Sequence, residues 1–355
     1  MALSTVINRR TGKDVVAAAQ VSDVRISQDG TVRLAVALSA QDDPAIVRDV
    51  RQAVARVAGV NDVAIDIEDP AQRAGGAQRA LPVMDDRPAA PRASVPAPEK
   101  YPHLGRIVAV SSGKGGVGKS TVAVNVAVSL AQQGLRVGLM DADVYGPNLP
   151  RMLGLDGAPL VEREKIVPHR AYGVKAISLG LLIERDQPAI WRGPIVMKIV
   201  TQFLRDVAWG TLDYLIVDMP PGTGDAQLSL VQATQVSTAL IVTTPQLVST
   251  GDALRGAKMF MRVGVPVLGV VENMSWFECP HCGKPSAIFG AGGGQQLAEE
   301  LELPLLAQIP LYPPLLKGGD EGRPVVAVDG ASSAARALAA LANAVHESLG
   351  APAGR

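Results

Sequence analysis

Apolar and polar positions along the chain change their period twice. Near the start, residues 21–27 (VSDVRIS) and 31–38 (TVRLAVAL) alternate apolar with polar, the period-two pattern of half-buried strands. Gln28-Asp29-Gly30 between them reads as a hairpin turn, with Gly30 free to take positive φ. Residues 44–57 then set Ile46, Val47, Val50, Val54 and Val57 at helical spacing, and residues 63–67 return to a strand. Together these predict a small α+β domain over residues 1–70, with no nucleophile–base pair or metal cluster. It reads either as a docking module or as a structural appendage.

Over residues 71–104 the pattern disappears into Ala, Pro, Gly, Arg and Asp, as in RPAAPRASVPAPEKYP. Prolines withhold the backbone donors that helix and sheet need, so a flexible linker is expected. From residue 105 to about 350, short continuous apolar runs take over: 107–110 (IVAV), 137–140 (VGLM), 214–217 (YLIV), 239–242 (ALIV) and 267–271 (VLGVV). Such runs suit parallel strands covered on both faces. Helical segments such as 120–133 and 226–233 lie between them. The expected class is therefore α/β, a doubly wound and mainly parallel sheet.

Composition narrows the possibilities. The 355 residues are 47% hydrophobic but only 3% aromatic, so the core must be aliphatic. Thirty-four basic against 34 acidic side chains leave no net charge, which speaks against a broad nucleic-acid-binding surface. Two cysteines are too few for a disulfide-stapled secreted scaffold. The opening residues lack the apolar run of a signal peptide, and nothing approaches the ~18 uncharged apolar residues that span a bilayer. A cytoplasmic protein without membrane partners is expected.

The first strand of the α/β region runs into Gly113-Lys114-Gly115-Gly116-Val117-Gly118-Lys119-Ser120-Thr121, which satisfies the phosphate-loop spacing. Glycines let backbone amides turn inward on the phosphates at a helix N-terminus. Lys119 then supplies a cation to the β and γ phosphates, and the Ser120 hydroxyl can ligate Mg²⁺. Asp218 directly follows the strand YLIV, where a carboxylate completes the Mg²⁺ shell, and Gly222 and Gly224 behind it allow that segment to move. No Asn-Lys-x-Asp motif for guanine is present, which favours ATP over GTP.

Cys279-Pro280-His281-Cys282 admits three chemistries: half a zinc site, a redox dithiol, or half the ligand set of an iron–sulfur cluster. Its late position, followed by Gly283-Lys284-Pro285, disfavours the dithiol. A four-thiolate site needs four cysteines, and two copies facing across a twofold axis would supply them.

KGGVGKST resembles the deviant phosphate loop of dimerising ATPases related to nitrogenase iron protein, MinD and ParA. That resemblance implies that Lys114 crosses the dimer interface to the partner's nucleotide. It implies that Asp143 positions or activates the attacking water, with Asp141 in support, and that Asn273 contacts the base. With DADVYGPN, WRGP, DMPPGTGD and ENMSWFECPHCG in order, residues 105–345 resemble the Mrp/ApbC iron–sulfur cluster carriers. This implies a homodimer holding a labile [4Fe–4S] cluster through Cys279 and Cys282 of both chains, receiving it from cluster donors and delivering it to apo iron–sulfur proteins. The first domain resembles the small domain of bacterial members through GKDVV and VSDVRIS. It departs from them in lacking an Asp-Pro-Glu stretch before GKDVV and a cysteine near Gln41-Asp42-Asp43-Pro44. The alternatives are a MinD- or ParA-type positioning ATPase and a zinc-bridged regulatory ATPase. The first would need a basic amphipathic C-terminal helix or a basic DNA-facing surface. The C-terminal segment is instead alanine-rich and expected to pack on the domain.

Overall fold

The computed structural model describes residues 2–8, 10–27, 30–38, 42–43, 45–68, 98–143, 146–182, 193–222, 225–279 and 281–350. The Gln28-Asp29 turn, Gln41, Pro44, the linker to residue 97, Val144-Tyr145, Trp191-Arg192 of WRGP, Gly224 and Pro280 lie outside the described residues. The chain divides into two compact units, Met1–Ala90 and Pro91–Arg355.

In the first unit, β1 (Val21–Ile26) pairs antiparallel with β2 (Thr31–Ala37), and β2 pairs in parallel with β3 (Asp62–Glu68). Helix α1 (Ala45–Ala55) connects β2 to β3 and buries Ile46, Val50 and Val54 against Val32, Leu34 and Val36 of β2. Helical spacing of four on one element meets a spacing of two on the other. Gly30 has φ 82°, as the turn requires. β1 departs from the half-buried strand expected of it, because Val24 and Ile26 are 51% and 74% exposed. It is an edge strand whose register slips between Ser22 and Arg25, with Asp23 at φ 51°, and such a bulge re-aims the side chains beyond it. Inside this unit Asn8 donates to Gln20 (3.0 Å) and to Asp42 (2.8 Å), and Arg10 also donates to Asp42 (2.6 Å).

The second unit is built on a nine-stranded sheet. Its parallel strands are β4 (Arg106–Ser112), β5 (Val137–Asp141), β9 (Val174–Ser178), β10 (Tyr214–Asp218), β11 (Thr238–Thr243), β12 (Val267–Glu278) and β14 (Leu305–Leu311). Across the sheet they stand in the order β14, β12, β11, β4, β10, β5, β9. The antiparallel β8 (His169–Ala171) lies beside β9, and β13 (Pro285–Ser286) beside the end of β12. A small separate hairpin joins β6 (Val161–Glu162) to β7 (Lys165–Ile166).

Helices cover both faces. Leu215 and Val217 of β10 face one apolar cluster with Phe203, Trp209 and Phe260, while Tyr214 and Ile216 face the other with Val122, Val126 and Leu338. The first layer includes α4 (Gly193–Asp206), α5 (Asp225–Ala233), α6 (Leu247–Arg262) and α7 (Gly293–Glu300). The second includes α2 (Lys119–Gln132), α3 (Leu149–Leu153), α8 (Pro313–Asp320), α9 (Val325–Val328) and α10 (Ser333–Leu349). Residues on both faces of β5, β10 and β11 are buried, which is why their sequences are unbroken apolar runs. The C-terminal α10 buries Ala335, Leu338, Leu341, Ala342 and Val345, so its apolar face is committed to this core. Among the described residues no helix is long and apolar enough to cross a membrane.

Three strands depart from the sequence pattern. β12 continues seven residues beyond the apolar run 267–271, through Asn273 to Glu278. β9 and β14 were not marked as strands, because Lys175 interrupts one and Gln308-Ile309-Pro310 the other. Leu338→Ala is expected to lower stability by about 2–5 kcal/mol, whereas Leu247→Ala, 76% exposed, should change it by less than ~0.5 kcal/mol. Denaturant unfolding of the two variants beside the unaltered chain checks the contrast.

Candidate functional site

The phosphate loop leaves β4 after Ser112 and enters α2 at Lys119. Gly116 and Gly118 have φ 83° and 85°, a region that side chains with a β-carbon rarely enter. Gly113 is required for a different reason. A Cβ there would lie 2.1 Å from the Asp252 carbonyl carbon and 2.2 Å from the Ala253 nitrogen, so the loop rests on the backbone of α6. The loop and the first residues of α2 line a cleft of about 410 Å³, together with Lys114, Asp143, Arg151, Met274 and Leu316. A helix N-terminus and its free amides facing such a space favour an anion.

Lys119 is almost wholly buried, and its ammonium donates to Asp218 Oδ1 (2.5 Å) and to Ser120 Oγ (3.2 Å). Parallel pairing brings more than one carboxylate to this point. Asp218 on β10 stands in register with Val110 of β4 and Asp141 of β5, and Asp141 in turn with Ser178 of β9. Burial pushes the Asp141 carboxyl pKa upward, and the neighbouring Asp218 charge adds to the shift. Ser178 Oγ donates to Asp141 Oδ2 (2.8 Å), the Asp143 amide donates to Asp141 Oδ1 (3.1 Å), and Lys119 is nearby, all of which work against that rise. Asp143 accepts the Gly146 amide (3.2 Å) and is 9% exposed at the cleft. Asp218 Oδ2 is buried without a hydrogen-bond partner. A buried, unpartnered carboxylate oxygen near a serine hydroxyl is the hard-oxygen chemistry that Mg²⁺ takes, so Asp218 and Ser120 fit that ion.

Ser178 and Gln227 carry work that no sequence motif marked. Ser178 reaches Asp141 only because β9 pairs with β5, and sequence spacing holds no trace of that pairing. Gln227, fully buried on α5, donates through Nε2 to the carbonyls of Pro220 and Gly222, both at 2.8 Å. It thereby braces the segment after Asp218. Its signal was available, two residues beyond the last acidic residue of DMPPGTGD.

Asn273 is placed differently from the expected base contact. It lies within β12, 4% exposed, and its Nδ2 donates to the Val117 carbonyl (2.9 Å). A Cβ on Gly118 would come within 2.1 Å of the same nitrogen. The donor is therefore spent on the underside of the phosphate loop, and Asn273 is not among the cleft-lining residues.

The cysteines follow the end of β12. The Cys279 amide donates to the Lys284 carbonyl (3.1 Å) and the Gly283 amide to the Cys279 carbonyl (2.8 Å), closing a turn over residues 279–284. Gly283 takes φ 68° there. Both thiols are free, Cys282 is exposed, and Cys279 is half-buried. Amides of His281 and Cys282, and the Cys282 thiol, hydrogen-bond to the Cys279 sulfur and hold its pKa below the usual thiol range. Among the described residues no group of three or more His, Cys, Asp or Glu side chains could hold a metal ion. The structure thus gathers the loop and Asp143 around one cleft, holds Asp218 buried behind it on Lys119, and leaves the cysteine pair outside its lining.

Comparison with known proteins places both parts of the chain in families. Residues 103–346 match the family described as NUBPL iron-transfer P-loop NTPase, and residues 1–67 match the iron-sulfur cluster assembly protein family. An iron-sulfur cluster carrier protein of Synechocystis sp. is 46% identical over 344 residues, covering 94% of this chain and 92% of that protein. An iron-sulfur cluster transfer protein of Mus musculus is 47% identical over 246 residues, covering 68% of this chain and 77% of that protein. Among solved structures, a nucleotide-binding protein of Archaeoglobus fulgidus in complex with ADP is 40% identical, with a TM-score of 0.55, covering 62% of this chain and 88% of that one. The cell division ATPase MinD of Pyrococcus furiosus is 27% identical, with a TM-score of 0.52, covering 70% of this chain and all of that one. By its phosphate loop, its sheet and the match over residues 103–346, the chain belongs to the NUBPL iron-transfer P-loop NTPase family.

Proposed function

We propose that the chain is an ATP-dependent iron–sulfur cluster carrier that works as a homodimer. The observation that carries this reading is the cysteine turn. It offers two free thiols, one exposed and one with its thiolate favoured by two backbone amides. Soft thiolate donors suit iron–sulfur clusters and zinc alike. With two cysteines in the whole chain, a four-thiolate [4Fe–4S] site requires Cys279 and Cys282 from two copies. The names of relatives that match over more than nine-tenths of this chain point to a cluster rather than zinc as cargo. Cluster donors would load this turn, and apo iron–sulfur proteins would receive from it.

In the cleft, the amides of residues 113–118 and the start of α2 bind the phosphates of ATP, and Lys119 moves from Asp218 to the β and γ oxygens. Ser120 and Asp218 would hold Mg²⁺, which when bound would supply positive charge to the phosphates. Asp143 orients the water that attacks the γ-phosphorus as the bond to the bridging oxygen breaks, releasing ADP and phosphate. Lys114 lines the cleft of its own chain and, in the dimer, would reach the partner's nucleotide as a trans cation. The commitment of α10 to the core argues against a membrane-positioning role, since a MinD-like anchor needs a free apolar face.

Anaerobic reconstitution with iron and sulfide is expected to give about one [4Fe–4S] cluster per two chains. Cys279→Ala and Cys282→Ala should each retain only a trace. Full occupancy in either variant sinks the carrier reading, and zinc in place of iron on metal analysis favours the zinc-bridged alternative. For the nucleotide site, Lys119→Ala should abolish ATP turnover. Lys114→Ala should lower it about a thousandfold while nucleotide affinity changes far less. Turnover equal to that of the unaltered chain in the Lys114 variant removes its trans role.

A further inference from the structure

Strand β12 carries both sites. Asn273 at its middle holds the Val117 carbonyl of the phosphate loop, and Cys279 directly follows its last residue, Glu278. The stretch between them is not a plain strand. Beside it, β14 pairs Ile309 with Asn273 and Leu311 with Phe277, so β12 spends four residues where β14 spends two. The excess is a bulge at Met274-Ser275-Trp276, and Met274 sits at φ 56°. A residue with a β-carbon adopts that conformation only when its surroundings force it.

Those surroundings lie mostly on one side of the bulge. The buried Glu272 carboxylate accepts the Gly294 amide (2.5 Å) at the start of α7 and the Gln308 side-chain amide (2.9 Å) of β14. Ser275 Oγ donates back to the Glu272 carbonyl (2.9 Å), and Asn273 is fastened to the loop. Beyond the bulge, Phe277 stands in register with Leu311 of β14 and Ser286 of the two-residue β13, Glu278 accepts a hydrogen bond from Ser333 (3.0 Å) on a solvent-exposed surface, and the cysteine turn begins. Met274 itself lines the nucleotide cleft. A segment fastened to α7, β14 and the phosphate loop, a bulge facing the cleft and the thiol turn follow one another along a single strand.

We infer that the Met274 bulge is the joint through which nucleotide in the cleft sets the conformation of the Cys279–Cys282 turn, with Asn273 as the positioning residue that ties this joint to the phosphate loop. The inference rests on the reading of cleft and cysteines given above, and deepens it by naming the route between them. Phosphates drawing on the loop amides pull on Val117 and hence on Asn273. Met274 receives that displacement in a backbone conformation with little freedom to absorb it, so the displacement passes to the turn. Glycine at this position takes positive and negative φ with equal ease and would absorb the motion.

The test uses the apoprotein, full chain, with Mg²⁺ and a non-hydrolysable ATP analogue at a concentration that saturates each variant. The rate of iodoacetamide alkylation at Cys279 and Cys282 is followed by mass spectrometry. In the unaltered chain the analogue is expected to change this rate about fivefold or more, the range of ordinary coupling between sites. Met274→Gly and Asn273→Ala should reduce the change to less than about twofold, whereas Met274→Ala, which keeps the β-carbon and the strained φ, should retain it. Thermal unfolding of each variant confirms that the chain is folded. An unaltered chain whose thiols ignore the analogue overturns the proposal, as does a Met274→Gly chain that responds like the unaltered one. Loss of the response in Met274→Ala assigns the effect to the side chain and overturns the backbone joint. The thiols are alkylated in the apoprotein, whatever they bind when loaded, so failure here leaves the iron reconstitution result untouched, and the reverse also holds.

Discussion

Asp141 and Asp218 stand side by side on neighbouring parallel strands, both buried, and the sheet offers them a single ammonium, that of Lys119. Two carboxylates in such a place cannot both be ionised without compensation. Lys119 answers for Asp218, while Asp141 relies on Ser178 and the Asp143 amide and has its pKa raised. Asp218 Oδ2 is left buried without a hydrogen-bond partner. Behind the cleft there is therefore a charge imbalance of two buried carboxylates on one ammonium. The loop, the sheet order and the position of α2 all serve to hold these groups in line.

The thiol pair obeys a different constraint, one of number. No third ligand approaches it among the described residues, and its turn is short and open. Chemistry that needs four sulfurs must come from association, whereas chemistry of the phosphate site is nearly complete in one chain. In the proposed dimer, association and nucleotide occupancy would act through separate surfaces, with β12 running from one to the other.

Much of this was legible in the sequence because parallel α/β folding places its chemistry at strand ends, and strand ends are easy to read. Asp218 after YLIV and the loop after IVAV are where the spacing puts them. What sequence could not give were contacts made across the sheet: Ser178 against Asp141, or Gln308 against Glu272. The resemblance makes Asn273 a base contact beyond the strand VLGVV, yet the strand continues through it, with Asn-Met-Ser-Trp breaking the continuous apolar run that marks its first half. A bulge breaks the very periodicity by which strands are recognised, so its residues are hidden for the same reason that they matter. The exposed Val24 and Ile26 of β1 follow the same rule at the other end of the chain.

The bulge also sets a length rule. Between Asn273 and Cys279 lie five residues, two of them surplus to the β14 ladder. Strand side chains alternate between faces, so inserting or deleting one residue here would turn the thiols to the opposite side of the sheet while leaving Asn273 anchored. Loops elsewhere in the chain can lengthen over evolutionary time at little cost, but this stretch can drift in composition only. Its residue count sets the spacing between the anchor of the phosphate loop and the thiols, and relatives that share the phosphate loop and the cysteine pair should share that count.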